Sequence, residues 1–128
     1  MGETRAKIKV TGLIPNGAAE FEAVVDTGAT YTALPKRALT RLGIKPEGKI
    51  TIELADGRTA TRFIANVLLE LGGQRRANPV LLGEKTDARV IGLVTLESCG
   101  LAVDPITRRL IPVSKIHHYS SSARPTQS

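Results

Sequence analysis

The 128-residue chain has one cysteine, no tryptophan and four aromatic residues in all: Phe21, Tyr31, Phe63 and Tyr119. With Cys99 alone, no intrachain disulfide can form and structural zinc lacks its usual thiolates, which fits a reducing compartment. Four scattered aromatics do not build a platform on which nucleic-acid bases could stack. No apolar run approaches the roughly 18 residues that a membrane span requires. Met1 to Val10 alternates basic and apolar residues without an apolar h-region, so no secretory leader is expected, and Ala6 breaks the myristoylation pattern that Met1-Gly2 opens. No Walker or dinucleotide-binding glycine pattern is present. These absences together lead to the expectation of a soluble cytoplasmic protein with no membrane partner.

What is there suits one small globular unit. Hydrophobic residues make up 41% of the chain and charged residues 23%, enough apolar content to exclude a disordered chain. A chain of this length can bury roughly two thirds of its unfolded surface in a single core. Eighteen Lys and Arg against twelve Asp and Glu give a net charge of +6. The basic residues are spread from Arg5 to Arg124, and the adjacent pairs Arg75-Arg76 and Arg108-Arg109 both fall beside turns. Such charge attracts polyanions without specificity, so no specific nucleic-acid partner is expected.

The dominant period is two. Lys7 to Thr11 alternates polar with apolar, and Glu20 to Val25 alternates before becoming wholly apolar, as strands entering a core do. Between them, Gly12 to Gly17 reads as a turn. Pro35 to Leu42 is the best helix: Pro35 suits a first helical position, Ala38, Leu39 and Leu42 share a face, and Gly43 can end it in the left-handed conformation. Lys49 to Leu54 alternates again, Asp56-Gly57 predicts a two-residue type I′ hairpin, and Arg58 to Leu71 supplies the returning strand with a bend near Asn66. Gly72-Gly73 marks a second turn before a strand over Asn78 to Leu82. The short segment Arg89 to Gly92 leads to a helical turn around Leu96, and a closing hairpin spans Leu101-Ala102-Val103 and Arg109-Leu110-Ile111. The reading is a mostly-β domain over residues 1–116, followed by a polar tail over residues 117–128.

Asp26-Thr27-Gly28-Ala29 is the sharpest feature. Asp, Thr and Gly are common in any turn; here the carboxylate stands at the end of an apolar strand, Gly28 permits close backbone approach and Thr27 offers a hydroxyl. Val24 to Thr30 resembles the signature of retropepsin-like aspartic proteases. The resemblance extends through the Ala55-Asp56-Gly57-Arg58 hairpin, where that family carries its flap, to Val90-Ile91-Gly92, and covers roughly residues 5 to 113. The stretch from Val90 to Asp104 is similar to the ending of small prokaryotic members. It implies a closed β-barrel of the acid-protease type with one short helix, one lobe per chain. It further implies Asp26, Thr27 and Gly28 as catalytic-loop residues, and Ala29, Thr30, Ala55, Asp56, Gly57, Arg58, Val90 and Ile91 as substrate-binding residues. No metal or other cofactor is implied. Retroviral members place an acidic residue where this chain has Thr30 and an Arg where it has Leu93, so the ion pair that braces the viral dimer is absent as a unit.

Hydrolysis of this kind needs two carboxylates about 3 Å apart that share one proton, and the chain supplies one Asp-Thr-Gly. A two-fold homodimer would bring in the second Asp26, with polypeptide as substrate and a bell-shaped pH profile on the acidic side. A binding or dimerisation module on the same fold, with little or no proteolysis, is the alternative reading. His117-His118 has no further ligand beside it and reads as a solvated pair. Cys99 has no base to activate it.

Overall fold

The computed structural model describes residues 3–14 and 17–113. The polar tail, with His117-His118, and the turn residues Pro15 and Asn16 lie outside the described residues.

Alternation makes the first two strands, β1 (Arg5–Thr11) and β2 (Ala19–Val25), an antiparallel pair. Ile8, Val10, Phe21 and Ala23 turn inward and are at most 5% exposed, while the outward Lys7 and Lys9 stand opposite Glu22 and Glu20. That cross-strand matching of opposite charges absorbs part of the basic excess. The remaining strands are β3 (Thr32–Pro35), β4 (Gly48–Glu53), β5 (Thr59–Leu71), β6 (Gln74–Gly83), β7 (Val90–Ile91), β8 (Leu101–Val103) and β9 (Leu110–Pro112). Seven of the nine strands form one sheet in the order β1-β2-β7-β3-β6-β5-β4, and β1 also pairs with β5. That extra pairing closes six strands into a ring, leaving β4 outside it and making the sheet barrel-like.

The 13-residue β5 carries the closure. One of its edges serves β6 over residues 63–71; the other serves β4 over residues 59–64 and then β1 over residues 68–70. Asn66, where the sequence suggests a bend, sits at the change of partner, and its backbone N–H and side-chain amide both donate to the Glu47 carboxylate. Gly72 and Gly73 join β5 to β6 with φ of 57° and 80°, the two-residue primed turn that matches strand twist.

Two helices cap the ring, not the one expected. α1 (Lys36–Arg41) starts one residue later than predicted, because Pro35 has ψ 124° and pairs with Gly83 as the last residue of β3. Gly43, at φ 78°, donates to Thr40 O, and Ile44 donates to Leu39 O. These two bonds satisfy the end carbonyls while Leu39 and Ile44 bury their side chains together. The turn expected around Leu96 is a full six-residue helix, α2 (Leu93–Ser98), whose Thr95 and Leu96 are buried. Val67, Leu69, Val80, Leu82, Ile91 and Leu96 fill the ring interior at 2% exposure or less, each contributing about 1.5–3 kcal/mol by leaving water. β8 and β9 form the predicted closing hairpin as a separate two-stranded sheet.

Candidate active site

Val24 and Val25 run parallel to Val90 and Ile91, and β7 in turn pairs antiparallel with β3. β7 therefore lies between the strand that enters residues 26–31 and the strand that leaves them. Asp26 continues the ladder by donating its N–H to Ile91 O at 3.0 Å. The chain then turns on Asp26 itself. Its carbonyl accepts the Ala29 N–H at 3.1 Å, and its Oδ1 accepts the Gly28 N–H at 2.9 Å. Oδ2 has no protein partner among the described residues, and the side chain is exposed.

A second loop locks the first in place. Thr32 Oγ1, fully buried, accepts the Gly92 N–H at 3.0 Å and shares a hydrogen bond of 2.7 Å with Thr95 Oγ1. Leu93 N–H donates to Ala29 O at 2.8 Å and Val94 N–H to Thr30 O at 3.0 Å. Thr30 and Leu93, which stand where viral members carry the ion pair, are each held by one of these backbone bonds, Thr30 to Val94 and Leu93 to Ala29. Gly92 is required here because a Cβ on it would lie 2.5 Å from the Tyr31 carbonyl carbon and oxygen.

This loop floors an open groove of about 1270 Å³, larger than the roughly 300–1,000 Å³ of small-molecule pockets. Asp26, Gly28, Ala29, Thr30, Ala55, Asp56, Gly57, Arg58 and Val90 all line it, so the structure brings most of the predicted residues together. Thr27 is exposed but is not part of the lining. Ile91 is corrected: it is fully buried in the ring, so its side chain cannot meet a substrate, and its contribution is the carbonyl that holds Asp26 N–H.

The hairpin tip is also corrected. Leu54 accepts from Gly57 N–H at 2.9 Å and donates to Arg58 O at 2.7 Å, enclosing three residues rather than two. Only Gly57 has positive φ, at 88°, which defines a type I turn closed by a glycine bulge. The physical reason is Asp56, whose Oδ1 accepts the Arg58 N–H while Oδ2 takes the Arg58 guanidinium at 2.7 Å. Those two donors hold the Asp56 carboxyl below its ordinary range, the backbone N–H being the larger influence.

Tyr31, Ile50, Ile52, Arg62 and Asp87 line the groove without having been singled out by sequence. Ile50 and Ile52 were legible as one face of a strand; that face is half-buried and forms a groove wall. Arg62 and Asp87 lie 25 residues apart with no motif to join them. Arg62 Nε reaches Asp87 Oδ2 at 2.7 Å and Nη2 reaches Oδ1 at 2.9 Å, with side chains 12% and 19% exposed. The Arg62 side chain chiefly, with help from the Glu84 N–H, holds the Asp87 carboxyl below its ordinary value despite burial.

A carboxyl depressed in the folded state stabilises the fold above its unfolded pKa, and that stability is lost as pH falls through the folded value. The Arg62–Asp87 contribution is therefore expected to be complete above about pH 4 and to fade below it. The pair is largely withdrawn from water but lies in the wall of an open groove, so its size is about 1 kcal/mol. Urea unfolding of wild type and Asp87→Asn from pH 6 down to pH 2 checks this: the difference in midpoint should vanish at the acid end.

Elsewhere, Cys99 is buried and burial pushes its thiol up, which leaves it a packing residue. Among the described residues no group of three or more His, Cys, Asp and Glu could hold a metal ion, and no helix is long and apolar enough to cross a membrane.

A ring of strands with an Asp-Thr-Gly turn beside an open groove defines an aspartic protease fold of the retropepsin-like kind. The family model described as aspartyl protease matches residues 8–105, more than half of the chain, and the chain belongs to that family. No curated protein matches it.

Proposed function

We propose that this protein is an aspartic endopeptidase, active as a homodimer in which Asp26 of each subunit forms one member of the catalytic dyad. The observation that carries the reading is Asp26 itself, anchored through Oδ1 by Gly28 N–H, with no partner for Oδ2 among the described residues, in the lining of a long open groove.

A lone carboxylate cannot both activate water and polarise the scissile carbonyl. Two that share a proton divide these tasks: the ionised member takes a proton from a bound water, and the protonated member donates a hydrogen bond to the carbonyl oxygen. The symmetry axis of a dimer would pass between the two Asp26 side chains. Thr27, exposed at the rim of the loop, would brace one loop against its mate. Gly28, Ala29 and Thr30 would receive the substrate backbone, and the Ala55–Arg58 tip would fold over an extended peptide and limit water access. Val90 and the half-buried Ile50 and Ile52 give the walls an apolar preference.

The test is cleavage of a mixed peptide library from acidic to neutral pH by wild type and by Asp26→Asn. Fragments from wild type alone, with a bell-shaped acidic profile, are the expected result. Equal cleavage by both proteins would exclude Asp26 from the chemistry. No cleavage by a folded wild-type dimer would favour the binding-module reading.

A further inference from the structure

We propose that Arg62 and Asp87 determine the side-chain preference of the groove by cancelling each other's charge within its wall; this rests on the peptidase reading above. Both residues line the groove, and each is largely withdrawn from water. Each guanidinium nitrogen is engaged: Nε and Nη2 donate to the two Asp87 oxygens, and Nη1 donates to Thr61 O at 3.0 Å. The carboxylate is committed too, because Oδ2 also accepts the Glu84 N–H at 2.8 Å. Every guanidinium nitrogen and both Asp87 oxygens thus already have a partner within the chain, and the two charges oppose each other in the groove wall.

The surroundings sharpen the effect. Ile50 stands directly opposite Arg62 in the β4–β5 register, and Leu81 and Val90 complete the same wall. The other charged pair at the groove, Asp56 with Arg58, is likewise self-neutralised. A substrate residue seated against this wall meets apolar surface and a closed ion pair. A charged residue seated against the pair would lose water and find both of its members already bonded, so uncharged residues are selected there. Selection by the pair differs from selection by shape, because removing one member exposes a charge of known sign.

The experiment uses the same peptide library, read as relative kcat/KM for acidic, basic and uncharged residues at each position. Wild type should disfavour both charges at one position. Asp87→Asn frees the Arg62 guanidinium and should raise the relative acceptance of Asp and Glu there at least about tenfold. Arg62→Gln frees the Asp87 carboxylate and should raise Lys and Arg instead. The double variant, Arg62→Gln with Asp87→Asn, should return to uncharged residues, and Arg62→Lys should keep the wild-type preference. If one single variant fails to fold, the other carries the test alone, since each predicts its own sign. Unchanged preference in the single variants, or a shift of the same kind in both, would overturn the proposal while leaving the peptidase reading standing. Absence of any Asp26-dependent cleavage by wild type would remove both.

Discussion

Gly92→Ala is expected to cost at least about 3 kcal/mol of stability, a large share of the roughly 5–15 kcal/mol that holds an ordinary domain folded. The added methyl would sit 2.5 Å from the carbonyl carbon and oxygen of Tyr31 and 2.9 Å from its nitrogen. All three are backbone atoms, so no side chain can rotate aside. Gly92 itself has φ −94°, a conformation any residue adopts, so the penalty is steric and not conformational. Relief would require Tyr31 to retreat, but both its neighbours are held: Thr30 O by Val94 N–H, and Thr32 Oγ1 by Gly92 N–H. Retreat would break those bonds and leave buried donors unpaired, each costing about 1–3 kcal/mol. Urea unfolding measures the loss. Gly48→Ala serves as the control, since its Cβ would rest 3.9 Å from an Ile64 methyl, an ordinary contact. Wild-type stability in Gly92→Ala would mean that the two loops are not packed this closely.

Asp26→Asn subunits are expected to poison wild-type activity in mixtures. If each active unit needs one Asp26 from each of two chains, random exchange in an equal mixture leaves about a quarter of the dimers fully wild type. At a nine-fold excess of the variant, each wild-type chain should keep about a tenth of its activity. The loss should appear only after time for subunit exchange, and the variant should remain as stable as wild type, because Asp26 is exposed and its backbone bonds are retained. An enzyme complete in one chain would lose nothing beyond dilution. Titrating activity against the ratio of the two proteins at constant total concentration separates the outcomes.

Much of this was legible in the sequence because the signals were local. Alternation at Lys7–Thr11 and Lys49–Leu54 depends only on one face being buried, and both became strands. Gly43 ended its helix as expected because a left-handed position after a helix admits few other residues. Asp26-Thr27-Gly28 stood out because strand, carboxylate and glycine are adjacent. What stayed hidden depended on contacts between distant segments or between competing local ones. The Asp56-Gly57 turn failed by one residue because the Asp56 side chain captured the Arg58 amide, a local bond that turn statistics average over. Ile91 looked like a groove residue because its neighbour Val90 is one; the alternation of a strand sends the two side chains to opposite sides. Arg62 and Asp87 had no common pattern at all, since their meeting follows from β5 and residues 84–87 being brought together by the whole sheet.

The divided edge of β5 has a mechanical consequence. β4 is bonded along β5 alone, and the ring is completed further along the same strand by β1. The projecting hairpin is a cantilever: its root is built into the wall, and its free end bears none of the load that keeps the wall closed. Lengthening, shortening or redecorating residues 54–58 alters what the tip can reach without altering what keeps the barrel shut. Substrate choice and structural integrity can therefore drift separately along one continuous strand.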